Sequence, residues 1–281
     1  VIVRPRWRTV SPGEVETVVQ RLTTHPTPTD GPVRHMFPLS VLEGAGPRSL
    51  RITTRGAAWA VAVVYPGRLL VPAGDPELLR RAGEPSRRWR LLVGDRDACD
   101  ALLAGADLSD TIVHDQRLLA VVPERVPDAA QVPDPGLRRA TRDDLPALAE
   151  LAVQLHVDDR FGPDPGRSGL RGYQRRIGES VDRGLVWCVG PPGAPVAKLE
   201  RSVSSRRWGI QLAGIVVDEA QRGTGLGTAL VATAVRDALG APGAGGVPVT
   251  LHVRSDNERA LRAYDTAGFV DQEAWRLAVR T

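Results

Sequence analysis

Three glycines at alternate positions constrain this chain more than any other feature. From Val216 to Leu239 the sequence reads VVDEAQRGTGLGTALVATAVRDAL. Gly223, Gly225 and Gly227 stand between an apolar run that starts at Ile215 and a helix-like apolar period. Glycine loses the most backbone freedom on folding, so three of them at one junction indicate a need for bare backbone. A strand, a tight turn and a helix in immediate succession place the chain among folds that layer helices on a sheet. The helix N-terminus left open at such a turn presents unpaired N–H groups and a partial positive charge, which suits an anion.

Two common phosphate loops do not fit. A P-loop needs G-x-x-x-x-G-K-[ST], and the single lysine of the chain, Lys198, lies upstream of the glycines. A dinucleotide fold needs G-x-G-x-x-G and an acid about 20 residues on. Here the spacing is G-x-G-x-G, and the region near residue 247 reads GGVPV.

The chain has 281 residues, enough for two domains. Residues 122–137, VPERVPDAAQVPDPGL, carry four prolines and no hydrophobic period. Such a stretch reads as a stiff linker. The expected layout is an N-terminal α/β domain over 1–122, a linker over 123–136 and a second domain over 137–281. In the second, GLRRAT, LVWCVG, PVAKLERSV, WGIQLAGIVV, VPVTLHV and EAWRLAV read as strands. RDDLPALAELAVQLHV has the apolar spacing of an amphipathic helix, with Thr141 as its cap. In the first, AAWAVAVVY, RRWRLLV and QRLLAVV read as strands, and DPELLRRAG and DRDACDALLAG as short helices. Both halves contain a strand, an acid-capped helix and a strand in that order, with Leu91 and Val93 matching Leu251 and Val253. The first half is therefore a candidate degenerate copy of the second, although Ala104 stands where a tyrosine matching Tyr264 would fall.

Net charge is +4, with no basic block interleaved with aromatics, so nucleic acid is not an expected partner. No run of 18 apolar residues appears, so no membrane partner is expected. The first residues, VIVRPRWRTV, lack the pattern of a secretion signal, and the expected location is cytoplasmic. Cys99 and Cys188 have no partner motif and read as buried thiols.

QRGTGLGTAL resembles the Q/R-x-x-G-x-G/A signature of the GNAT superfamily of acyl-CoA-dependent N-acetyltransferases. Gln221, Arg222, Gly223, Gly225 and Gly227 fill its positions. Downstream, LHVRSDNERALRAYDTAGF resembles the family's second cofactor segment through Leu251, Val253, Asn257, Ala260, Tyr264, Gly268 and Phe269. The resemblance covers roughly residues 137–281. The whole chain also resembles an actinobacterial group in which a further domain precedes the GNAT domain. The implied fold is an α/β (α+β) GNAT fold, a mixed central sheet flanked by helices.

The resemblance implies acetyl-CoA as cosubstrate, an amine-bearing acceptor, no metal, and a monomer or homodimer. It places the pyrophosphate of coenzyme A on the segment Gln221, Arg222, Gly223, Thr224, Gly225, Leu226, Gly227 and Thr228. It places the pantetheine arm along the backbone of Ile215, Val216 and Val217 and against Asn257 and Ala260. Tyr264 becomes the acid that protonates the departing thiolate. A phenol with an ordinary value near 10 suits that task.

Ser255 and Glu258 read as a capping box for the helix that carries Tyr264. Alternation along VTLHVR puts Thr250, His252 and Arg254 on one sheet face. Ribosomal-protein N-terminal acetyltransferases, which this segment resembles, carry a glutamate base at the slot of His252. His252 is therefore the expected base, with Glu200 and Glu219 as rivals. His156, Asp158 and Asp159 form a cluster that reads as a helix end and loop rather than a metal site. An acyl-CoA-binding sensor and a transferase for a longer acyl group are the alternatives to acetyl transfer.

Overall fold

The computed structural model describes residues 5–24, 31–65, 68–240 and 246–280. Residues 1–4, part of the stretch inspected for a leader, lie outside them. The chain forms two compact units, Leu119–Asp271 and Val1–Leu118 together with Gln272–Thr281.

The first unit contains β1 (Arg8–Thr9), α1 (Val15–Thr23), α2 (Gly31–Arg34), α3 (Met36–Gly44), β2 (Leu50–Arg55), β3 (Ala58–Tyr65), β4 (Leu69–Gly74), α4 (Pro76–Ala82), β5 (Leu91–Asp95), α5 (Arg96–Leu103) and most of β6 (Thr111–Val121). The second continues with β7 (Arg138–Arg139), α6 (Leu145–Asp158), α7 (Gly166–Asp182), β8 (Val186–Val189), β9 (Ala197–Ser205), β10 (Gly209–Val217), α8 (Leu226–Gly240), β11 (Val249–Arg254), α9 (Glu258–Thr266) and the start of β12 (Phe269–Arg280).

The two units run through one order of elements: a short strand, helices, three antiparallel strands, a helix, a parallel strand, a helix and a last strand. In the first unit β4 and β5 pair in parallel at Leu69↔Leu91. In the second β10 and β11 pair in parallel at Ile210↔Val249. β5 and β11, which carry Leu91 and Leu251, hold the same place in the two orders. The α1, α3, β2 and β4 segments lacked a clear period in the sequence. Leu39, Leu50, Ile52 and Leu70 are all buried, so these elements gain their stability from packing.

Two differences from the expected layout have plain causes. Gln272–Thr281 packs with the first unit because Trp275 to Val279 pairs antiparallel with Asp95 to Leu91 of β5. The proline-rich stretch 123–136 is held against the second unit. Val126, Val132 and Leu137 pack on its core, and the Arg236 guanidinium donates to the carbonyls of Pro127 and Val132, each at 2.9 Å. Proline extends this segment, and its valines anchor it.

In the second unit the strands run β11–β10–β9–β8–β7. One face carries Leu199, Leu212, Leu251 and Val253 and packs on α8 and α9 through Leu230, Val231, Val235 and Tyr264. The other carries Val186 and Cys188 and packs on α6 and α7 through Leu148, Ala152, Ile177 and Val181. Thr141 caps the turn before α6 together with Asp144. Cys99 and Cys188 are free and buried, as their lack of partner motifs indicated.

Candidate acyl-CoA site

β10 shapes the site through a bulge. Ala213 faces Glu200 of β9 while Val216 faces Lys198, so β10 spends one residue more than its partner. An extra residue shifts the alternation of side chains. Ile210 and Leu212 point to the α8 side before the bulge, and Ile215 and Val217 do so after it. Gly214 sits at the bulge with φ +57°, and a Cβ there would stand 2.9 Å from Glu200 Oε1. Only glycine admits both that dihedral and that approach.

Lys198 locks the bulge from below. Its ammonium is fully buried and donates to Glu200 Oε1 at 2.7 Å and to the Gly214 carbonyl at 2.9 Å. Arg176 of α7 donates to the other oxygen of Glu200 at 3.1 Å. Burial raises the Glu200 carboxyl, but the charges of Lys198 and Arg176 outweigh that and leave it at about 2. Lys198→Met should destabilise the fold by about 3–5 kcal/mol, since removing one partner strands a buried charge. A fall in denaturant midpoint at constant m-value checks this.

Beyond Leu212↔Leu251, the last pairing between β10 and β11, a cleft of about 790 Å³ lies along the second unit. Ile215, Val216 and Val217 line it from β10, and Gln221, Arg222, Gly223, Gly225, Gly227 and Thr228 from the turn into α8. Asn257, Ala260 and Tyr264 line it from α9. Thr224 and Leu226 do not line it. Thr224 Oγ1 bonds back to the Gln221 carbonyl, and Leu226 packs on the core. Those two residues contribute to the turn through its backbone.

Gly223 and Gly225 adopt φ +81° and +85°, and a Cβ built on either meets nothing within 4 Å. The space in front of both is open cleft. Gly225, Gly227 and Thr228 at the start of α8 line the same opening, and the first N–H groups of a helix have no partner inside it. This cradle suits a pyrophosphate, and Arg259 and Arg262 of α9 add positive charge along the cleft.

Tyr264 is buried, and its hydroxyl is pushed above the ordinary tyrosine value, first by burial and then by the Asp159 charge. It therefore stays protonated across the working pH range. Asn257, rather than Ser255, is the N-cap of α9: its side chain accepts from the Ala260 N–H at 3.2 Å. The helix begins at Glu258, so Ser255 falls two residues too early to cap it.

His252 is not among the lining residues, although its neighbour on the polar face, Arg254, is. Its Nε2 is shut off from solvent, and burial pushes the imidazole down to about 4. Glu219 is exposed outside the cleft. His156 has both ring nitrogens engaged. Tyr173 donates to Nδ1 at 2.9 Å, and Nε2 donates to the Pro163 carbonyl at 3.1 Å. Among the described residues no His, Cys, Asp and Glu group could hold a metal ion.

The geometry adds lining residues that the sequence reading did not assign: Leu155, Asp158 and Asp159 from the end of α6, Arg254 and Asp256 after β11, and Arg259 and Arg262. Arg222 of the glycine turn pairs with Asp158 at 2.5 Å, and Arg254 donates to the Asp158 carbonyl at 3.0 Å. The end of α6 is thereby tied to both the glycine turn and the end of β11.

Residues 168–269 match the acetyltransferase (GNAT) family. The second unit has the GNAT fold. Solved structures similar along nearly the whole chain include a GCN5-related N-acetyltransferase from Sphaerobacter thermophilus, with a TM-score of 0.56, 16% identity, and coverage of 98% of this chain and 95% of that one. A GNAT-family acetyltransferase from Colwellia psychrerythraea aligns with a TM-score of 0.54 and 12% identity over 97% of this chain and 98% of the other. A tandem GNAT protein from the clavulanic acid biosynthesis pathway aligns with a TM-score of 0.53 and 16% identity over 97% of each chain. At such identities the likeness shows the fold alone, and the tandem GNAT layout agrees with the repeated element order of the two units. No curated protein matches the sequence significantly. Among the described residues no helix is long and apolar enough to cross a membrane.

The open glycine turn has no counterpart at the equivalent helix of the first unit. There Asp75 caps α4, its carboxylate accepting from the Leu78 N–H at 2.7 Å, and Pro76 occupies the first turn. A carboxylate already holds the place where an anion would sit.

Proposed function

We propose that the protein transfers an acetyl group from acetyl-CoA to an amine, and that the second unit performs the reaction. One observation carries this reading: the open glycine turn at the mouth of α8 and the Tyr264 side chain line a single cleft. The turn from Gln221 to Thr228 would hold the pyrophosphate. The free edge of β10 at Ile215–Val217 would hold the pantetheine arm and turn its N–H groups toward the thioester carbonyl, where a developing oxyanion needs donors.

Attack by the neutral amine forms the C–N bond and breaks the C–S bond. Tyr264, still protonated, supplies the proton that the departing sulfur takes up. An acyl-CoA sensor would need the turn but not a buried hydroxyl beside it, and Tyr264 favours catalysis.

Incubating the full chain with acetyl-CoA and a panel of amines tests the proposal. Release of free thiol that depends on the amine is the expected result. Tight binding of acetyl-CoA without release points to a sensor, and faster turnover of a longer acyl-CoA changes the donor. Calorimetry should give one coenzyme A per chain, because Asp75 and Pro76 close the corresponding helix of the first unit. Two bound molecules per chain would overturn that assignment.

A further inference from the structure

The acyl-transfer reading leaves one proton without a destination, the one that leaves the acceptor nitrogen. Five carboxylates deserve comparison, because four line the cleft and a fifth was an early rival. Asp158 pairs with Arg222, Asp256 with Arg254, and Glu258 with Arg262. Glu200 is pinned by Lys198 and Arg176. Their cations hold the Glu200 and Asp256 carboxyls below the ordinary carboxylate range, which makes those two weak proton acceptors. Asp159 differs, since among the described residues its side chain forms no ion pair or hydrogen bond. The one arginine that acts on it, Arg254, is already engaged by the Asp256 carboxylate at 2.7 and 2.9 Å.

The backbone holds Asp159 in place. It is the C-cap of α6, with its N–H on the Leu155 carbonyl. The next residue, Arg160, takes φ +55° and turns the chain away. A non-glycine residue in that region is uncommon and costs strain. The groups acting on Asp159 come from three sides: Asp158 on α6, Arg254 and Asp256 at the end of β11, and Tyr264 on α9.

We propose that Asp159 is the catalytic base, taking the proton from the acceptor nitrogen as the C–N bond forms. This rests on the acyl-transfer reading of the same cleft. The step balances as follows. The nitrogen lone pair forms the bond to the thioester carbon, and the C–S pair leaves on sulfur. One proton passes from nitrogen to Asp159, and one passes from Tyr264 to sulfur. Afterwards Asp159 returns its proton to the Tyr264 oxygen through the water of the cleft, and both groups are restored. Amine and acetyl-CoA become amide and free coenzyme A, with no further reactant.

Burial, partly offset by Arg254 and reinforced by Asp158 and Asp256, pushes the Asp159 carboxyl up to about 6. A base poised there is ionised at neutral pH and stronger than an ordinary aspartate. The same shift makes the charged form costly to the fold. Its folded value lies above the unfolded one, so stability is greatest below about pH 4 at this site and falls as pH rises through about 6.

Asp159→Asn in the full chain tests the assignment. The turnover number should fall by roughly 10²–10³-fold, with the KM for acetyl-CoA little changed. Wild-type kcat/KM should rise through a limb near pH 6 and then level, and that limb should vanish in the variant. His252→Ala should keep it. The melting temperature gives a readout apart from activity: Asp159→Asn should melt above the wild type at pH 8 and lose that advantage toward pH 4. A variant with wild-type turnover and an unchanged limb overturns the assignment, as does one whose stability relative to wild type does not depend on pH. A wild-type chain that transfers to no amine overturns the acyl-transfer reading itself, and the base with it.

Discussion

Gly225→Val should weaken coenzyme A binding by roughly 10²–10³-fold while leaving most of the fold intact. Two effects add. The residue sits at φ +85°, which costs a branched side chain on the order of 1–3 kcal/mol. The Cβ would also point into open cleft, where the phosphate must approach the N–H groups of α8. Nothing within 4 Å resists that Cβ, so its steric penalty falls on the ligand, and the dihedral strain adds to it because the free turn relaxes away from +85° and must be forced back on binding. Calorimetry with coenzyme A measures the loss, and circular dichroism confirms that the helices remain. The alanine variant should lie between, having the dihedral cost without the branched bulk. Unchanged affinity in Gly225→Val would remove the pyrophosphate from this turn.

Tyr264→Phe should lower the turnover number by about 10²–10⁴-fold, the usual worth of a positioned acid. Coenzyme A affinity should hold, because the ring keeps its contacts. That ring lies 6.0 Å from the Phe269 ring and packs in the core between α9 and the sheet. Only the hydroxyl is lost. Its value lies above that of a free tyrosine, so no alkaline limb from phenol ionisation should appear in the wild-type profile at ordinary pH. Pre-steady-state measurement separates chemistry from product release. Full turnover in the variant, with chemistry limiting, would return Tyr264 to packing alone.

Lys198 is the one lysine of the chain, and it is wholly buried under the bulge. If the acceptors include protein lysines, the described fold offers no surface lysine of its own. Acetylation of the purified protein on a lysine should therefore stay below detection by mass spectrometry while the fold is intact.

The sequence by itself determined the glycine turn, the helix it opens and the face of α9 that carries Asn257, Ala260 and Tyr264. Those signals are local: Gly223 and Gly225 are needed for their own dihedrals, and Asn257, Ala260 and Tyr264 recur on one helix face. Most strands and helices of the second unit were legible for the same reason, since periods of 2 and 3.6 are written in neighbouring residues, but α7 was not, because this glycine- and arginine-rich segment buries little apolar surface beyond Ile177 and Val181.

The sequence could not show which polar side chains meet. Thr250, His252 and Arg254 share one face by alternation, yet Arg254 lines the cleft and His252 does not. Depth along a strand depends on what packs over it, here the end of α6. The proline stretch looked like a spacer because prolines carry a strong local signal, while the contacts of Arg236 are long-range. The Gly214 bulge left no trace in the hydrophobic pattern, although it alone brings Ile215 and Val217 back to the α8 side.

Asp159 shows the limit most clearly. In the sequence it is one acid among several at a helix end. Tertiary structure places it on the cleft with Arg254, Asp256 and Tyr264, engages Arg254 with Asp256, and removes enough water to raise its proton affinity. Charge pairing and desolvation are properties of the assembled cleft, and no spacing along the chain encodes them.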